Sequence, residues 1–153
     1  MTIPLTGQET TKLIVERFPE AVIETSDQAV IIKAEYLLKT ADWLRNDSEM
    51  GFDYLTDQTA VDYYDYFEII YRLTSLKRNR TLVLKIRCYD REKPEVPSVT
   101  GIWKGADFME REIFDLMGIR FTGHPNLKRI VTWEGFQGYP LRKDYIQGEK
   151  GKL

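Results

Sequence analysis

Phe67-Glu68-Ile69-Ile70-Tyr71-Arg72-Leu73 and Thr81-Leu82-Val83-Leu84-Lys85-Ile86-Arg87-Cys88 decide the fold, because apolar and polar side chains alternate along both runs. Phe67, Ile69, Tyr71 and Leu73 share one face of the first run. Leu82, Leu84, Ile86 and Cys88 share one face of the second, and Thr81, Lys85 and Arg87 point the other way. A period of two with one apolar face is the pattern of a strand buried on one side. Ser75 to Arg80 supplies the hairpin loop, and a third β-rich run begins near Phe52. Charge is segregated along the same region. Asp53, Asp57, Asp62, Asp65 and Glu68 come without a basic residue, and Arg72, Lys77, Arg78, Arg80, Lys85, Arg87, Arg91 and Lys93 follow. Neighbouring strands then carry opposite charges, which pair across the ladder and keep a sheet face soluble.

Toward the N-terminus, Gln8 to Arg17 predicts a short helix stopped by Pro19. Ala21-Val22-Ile23 and Ala29-Val30-Ile31-Ile32 predict a hairpin around Thr25-Ser26-Asp27. Leu37, Ala41 and Leu44 recur at helical spacing, so a second helix runs from about Tyr36 to Asn46 and ends before Gly51. Helices and strands without a repeating strand-helix-strand rhythm predict an α+β fold, with an antiparallel or mixed sheet packed with helices. The sheet core spans about residues 21–89.

Toward the C-terminus, Lys93-Pro94-Glu95-Val96-Pro97 cannot continue a central strand, and residues 90–98 read as a linker. Val99 to Trp103 suits a helical turn. A helix follows over 107–117, with Asp107 as N-cap, Glu110 at the third position, Met109, Ile113 and Leu116 on one face, and Gly118 just past the end. Beyond it Gly123-His124-Pro125 and Gly138-Tyr139-Pro140 punctuate a Gly- and Pro-rich stretch. The expected organisation is an α+β domain over residues 1–118 and an extended interaction arm over 119–153.

Composition narrows the function. Of 153 residues, 42% are apolar and 30% charged, which is ordinary globular usage, and the formal charge of −2 gives no global attraction to nucleic acid or anionic lipid. The N-terminal residues show no signal-peptide pattern, and no window reaches the roughly 18 apolar residues of a spanning helix, so the chain is expected to stay where it is made. Cys88 is the one cysteine and His124 the one histidine. Neither a cysteine set for an iron-sulfur cluster nor a structural zinc site can be assembled from them.

Three ordered blocks then become recognisable: Glu110-Arg111-Glu112-Ile113-Phe114-Asp115-Leu116-Met117-Gly118-Ile119, Gly123-His124-Pro125-Asn126-Leu127-Lys128-Arg129-Ile130, and Pro140-Leu141-Arg142-Lys143-Asp144-Tyr145. With Val96-Pro97-Ser98-Val99 and Ile102-Trp103 upstream, they resemble the C subunit of the NADH-quinone oxidoreductase family over roughly Val96 to Tyr145. Met117 stands where members often have Phe, and Ile146 where many have Pro. The resemblance implies a cofactor-free docking subunit of the hydrophilic arm of a complex I-like NADH-quinone or ferredoxin-quinone oxidoreductase. It would pack against the quinone-site D subunit and neighbouring iron-sulfur subunits, at the cytoplasmic face of the cell membrane or the equivalent organelle face. Iron-sulfur clusters, flavin and quinone would belong to the partners, membrane contact would come only through the complex, and the isolated chain would have no activity. Related subunits also occur in membrane-bound hydrogenases.

The interface residues this implies are Glu110, Arg111, Glu112, Asp115, Gly118, His124, Pro125, Arg129, Leu141, Arg142, Lys143 and Asp144. Their types admit other chemistries. Glu110, Glu112 and Asp115 could form an acid-base pair, but Glu110 and Glu112 lie on nearly opposite helix faces, and Arg111 and Asp115 at i, i+4 suit an ion pair. His124 could relay protons or hold a turn. Cys88 on an apolar face behaves as a small hydrophobe. Arg142-Lys143-Asp144 with Lys150, Lys152, Trp133, Phe136 and Tyr139 could bind nucleic acid, yet from Gly101 onward nine basic residues meet seven acidic ones, including Glu134 and Glu149. Aromatic and Arg residues on an extended segment fit a protein interface better. Arg142, in a segment short of burying capacity, is expected to find acceptors on a partner or stay solvated.

Overall fold

The computed structural model of the chain describes residues 2–147; Glu149, Lys150 and Lys152 lie outside the described residues. The elements in order are β1 (Ile3–Pro4), α1 (Gly7–Arg17), β2 (Val22–Thr25), β3 (Val30–Ile32), a 3₁₀ turn (Ala34–Tyr36), α2 (Leu37–Asn46), β4 (Tyr54–Asp62), β5 (Phe67–Ser75), β6 (Arg80–Cys88), β7 (Glu95–Pro97), α3 (Ala106–Met117) and β8 (Arg120–Thr122). Six strands form a mixed sheet in the order β2-β3-β6-β5-β4, with β1 added parallel to β6. The fold is α+β, as the sequence predicts.

The alternating runs pair antiparallel as β5 and β6, with Phe67 opposite Cys88, Ile69 opposite Ile86 and Leu73 opposite Leu82. Because these residues share one face, the pairing gives the sheet an apolar side. Leu37, Ala41 and Leu44 of α2 and Ile14 of α1 join the same fully buried cluster. On the opposite face Glu68 sits between Lys85 Nζ at 3.1 Å and Arg87 Nε at 3.2 Å, so the segregated charges do meet across strands. Thr6 and Glu9 start α1 with a reciprocal capping box.

Three expectations need correction. Residues 90–98 are not only a linker and the chain after Gly118 is not only an arm: β7 and β8 pair in parallel, Val96 opposite Phe121. Pro94 and Pro97 are tolerated because the pair forms a separate two-stranded sheet with few ladder bonds to lose. The core therefore runs past residue 118, with Ile119 and Phe121 buried beside Val99 and Trp103. The Trp103 indole N–H donates to Phe52 O at 3.0 Å and ties this second layer to the main sheet. Finally, α3 starts at Ala106 with Gly105 as its N-cap, and no side chain caps it. Asp107 is not the cap, and Glu110 turns inward.

Candidate functional site

Three buried carboxylates organise the recognisable blocks, and the inward-turned Glu110 is the first of them along α3. Glu110 accepts from Gln58 Nε2 at 3.0 Å, Ser98 Oγ at 2.6 Å and Val99 N–H at 3.0 Å, so it fastens β4 and the segment after β7 to α3. Burial pushes its carboxyl above the ordinary range, and those three donors partly offset the shift. Glu112, two residues on, is exposed, as the helix geometry predicts.

Asp115 is fully buried on the next turn. Its Oδ2 accepts three consecutive backbone N–H groups, from Ile130 at 2.9 Å, Val131 at 2.6 Å and Thr132 at 2.9 Å, and its Oδ1 takes the Thr132 hydroxyl at 2.6 Å. Consecutive N–H groups converging on one oxygen form an anion nest. Burial alone would raise the Asp115 carboxyl, but the Thr132 hydroxyl and the three N–H groups outweigh it and hold the group below its ordinary value. The expected Arg111–Asp115 ion pair does not form: Arg111 Nε donates to Lys128 O at 3.2 Å, while Arg129 Nη1 lies 3.6 Å from Asp115. The nest wins because it supplies three donors where a helical neighbour supplies one flexible cation.

Asp62, at the end of β4, is the third. Arg91 grips it with two bonds of 2.7 and 2.9 Å, and the N–H groups of Tyr64 and Lys143 donate at 2.8 and 2.9 Å. Arg91 chiefly, against the opposing effect of burial, holds this carboxyl far below the usual range. Asp144 adds a 3.3 Å contact to Arg91.

Arg142 does not await a partner. It is 6% exposed, its Nε donates to Met117 O at 2.7 Å and its Nη1 to Arg91 O at 3.1 Å, and the guanidinium lies over Phe67 and Tyr139. The carbonyls at the C-terminal end of α3 are natural acceptors for a cation. Gly118 makes room for this: its φ is +74°, and a Cβ there would sit 2.7 Å from the Tyr139 ring and 3.0 Å from Arg142 Nη2. Arg129 performs a similar task further along, with Nη2 donating to Gly138 O at 2.8 Å and its plane over Phe136 and Tyr139.

His124 is a turn residue. Its Nδ1 accepts the Asn126 N–H at 3.0 Å, so Nε2 carries the proton, and it faces Asp107 O at 3.1 Å and Asp107 Oδ1 at 3.2 Å. Pro125, Leu141, Lys143 and Asp144 are exposed. Cys88 is buried, and burial raises its thiol. Among the described residues no group of three or more His, Cys, Asp or Glu is placed to hold a metal ion, and no helix is long and apolar enough to cross a membrane.

This framework presents several large apolar side chains outward. Between the anchors at Asp115 and Arg142 stand Val131 at 58%, Trp133 at 72% and Leu141 at 58% exposure, with Trp133 packed edge-on to Phe136. Sequence reasoning misses Gln58, Asp62 and Arg91 as members of this framework. The acidic-then-basic charge order is the available signal, but it names no particular pair.

The chain is similar to NADH-quinone oxidoreductase C subunit 2 of Rhizobium etli, 42% identical over 92% of this chain and 78% of that protein. It is also similar to the NADH-quinone oxidoreductase C subunit of Roseiflexus sp., 41% identical over 85% of this chain and 78% of the relative. A chain in the solved structure of the membrane-bound sulfane sulfur reductase, an archaeal respiratory membrane complex, superposes with a TM-score of 0.68 at 28% identity, covering 92% of this chain and 86% of that one. Residues 30–150 match the family described as respiratory-chain NADH dehydrogenase, 30 Kd subunit, and the chain belongs to that family.

Proposed function

We propose that this chain is a docking subunit of the hydrophilic arm of a complex I-like oxidoreductase, packing against the quinone-site D subunit and neighbouring iron-sulfur subunits and supporting electron transfer to quinone without carrying a redox group itself. The observation that carries the reading is the direction of the buried charges. Glu110, Asp115, Asp62 and Arg142 are all satisfied within the chain, so none is poised to act on a substrate, and what they hold in place is a loop with Trp133, Val131 and Leu141 facing outward. Large aromatic side chains on a preorganised loop are the anchors of protein interfaces. The names of the relatives support the quinone-linked complex, and the partners would place the chain peripherally on the cytoplasmic face of the membrane.

A second reading is the equivalent subunit of a membrane-bound hydrogenase complex; the likeness to a chain of the membrane-bound sulfane sulfur reductase supports a place for this fold in respiratory membrane complexes of another kind. The test is native separation of membranes from cells carrying a tagged chain, followed by identification of what migrates with it. The D subunit and iron-sulfur subunits in stoichiometric amount, with quinone reduction lost when the chain is deleted, support the first reading. Hydrogen or ferredoxin turnover lost in place of quinone reduction supports the second. A monomeric chain with neither effect rejects both.

A further inference from the structure

The free edge of the main sheet carries a feature that the loop framework does not use. Among the described residues β4 pairs only with β5, so its other edge is open, and α3 lies beside it. Between them runs a cleft of about 120 Å³ lined by Asp57, Thr59, Glu112, Ile113, Leu116 and Leu141 among others. At ~30 Å³ per water that is room for about four waters, or for the four heavy atoms of a guanidinium. Every charged residue in its lining is acidic. Asp57 and Glu112 are exposed and have no side-chain partner among the described residues. Arg72 stands opposite Asp57 in the ladder, but no ion pair joins them.

A further observation points to an occupant. Gln58 also lines the cleft, but its side chain is turned inward on Glu110 and Tyr71. The outward N–H of Gln58 is met only by Met109 Sδ at 3.1 Å, a weak acceptor, and by strand alternation the N–H of Ala60 points the same way. An open, poorly satisfied edge is a template for an extended segment.

We propose that this cleft between the edge of β4 and α3 receives an arginine side chain from an extended segment of a partner subunit, the guanidinium between Asp57 and Glu112 and its stem along Leu116 and Leu141. Arginine fits better than lysine because its planar fork can meet two carboxylates at once while its stem covers apolar surface. This inference rests on the docking reading, and the wild-type chain separates the two: its presence in a complex is scored first.

The experiment is carboxyl labelling with a carbodiimide and glycine ethyl ester, on the wild-type chain free and within the native complex, together with retention of variants in that complex. Asp57 and Glu112 should label at least about tenfold more slowly in the complex. Asp57→Asn with Glu112→Gln should reduce retention by about tenfold or more, as loss of a desolvated charge pair at an interface does. Glu112→Asp, which keeps the charge on a shorter side chain, should be retained better than the isosteric Glu112→Gln, a ranking by charge that a purely steric role would not give. Thermal unfolding of the free variants should match wild type, since neither side chain has an internal partner. Equal labelling in the two states, or full retention of the double variant in a complex that the wild type joins, overturns the inference and leaves docking standing. A wild-type chain found in no complex overturns both.

Discussion

Replacing Asp115 by Asn tests whether the anion nest holds the exposed loop. The two residues are nearly isosteric, so the change acts through charge and donor count. With its amide oxygen at the Oδ2 position, the Asp115→Asn side chain still meets the N–H groups of Ile130, Val131 and Thr132, but as a neutral acceptor. A hydrogen bond to a charged group contributes about 1.5–3 kcal/mol and a neutral one about 1 kcal/mol, so three weakened bonds sharing one atom cost on the order of 2–4 kcal/mol. The new amide N–H₂ would turn toward Thr132 Oγ1, which can reverse and accept, and toward Arg129, which cannot. Urea unfolding should report the loss, and amide exchange at Ile130, Val131 and Thr132 should accelerate more than exchange in β6. The pH dependence follows from the sign of the shift. Asp115 is held below its ordinary value, so its contribution is present above about pH 4 and fades as pH falls through that region toward its folded value. The gap between wild type and variant should therefore narrow in acid. A stability change under about 0.5 kcal/mol with unchanged exchange at the three amides would refute the nest as the anchor.

Other outcomes follow from the same contacts. Arg142→Ala removes two charge-assisted bonds from buried carbonyls and should destabilise the free chain by about 2–4 kcal/mol in denaturant unfolding; an unchanged midpoint would return Arg142 to a partner surface. Gly118→Ala forces a Cβ against Tyr139 at a positive φ and should cost on the order of 1–3 kcal/mol, read as a lowered Tm, with no change in Tm as the contrary result. Asp62→Asn should begin to lose its destabilisation as pH falls below about 4 and lose most of it only well below that, because Arg91 holds the wild-type carboxylate far under its ordinary range; a pH-independent difference would show that Arg91 is not the cause. The purified, reconstituted chain should hold no stoichiometric iron by elemental analysis, and iron at one cluster per chain would contradict the docking reading.

The strands β5 and β6 are legible because each is nine residues long with one buried face, so the period of two repeats enough times to be unmistakable. β7 and β8 are not, since three residues flanked by prolines carry no period and their pairing partner lies beyond α3. The candidate site divides the same way. Gly118 is readable from local chemistry, because the end of a helix advertises a positive φ. Glu110 mimics a capping residue in sequence because its actual partners include Gln58, 52 residues away. Arg142 looks destined for another protein because burial by Phe67 and by the carbonyl of Arg91 is a property of the folded neighbourhood, and the local Gly- and Pro-rich sequence contains no trace of it. Long-range electrostatic closure leaves no local signature.

The Asp62 clasp joins residues 81 positions apart, with Arg91 between them in sequence. During synthesis the chain emerges N-terminus first, so the strands can pair while Lys143 has yet to be made. Until then Asp62 lacks one donor and Asp115 lacks the three N–H groups of its nest. A polypeptide that ends before residue 130 lacks the donors of the nest and is expected to open more readily than one that contains them. The clasp and the nest that set Trp133 in place therefore close only once the chain has been made through Lys143.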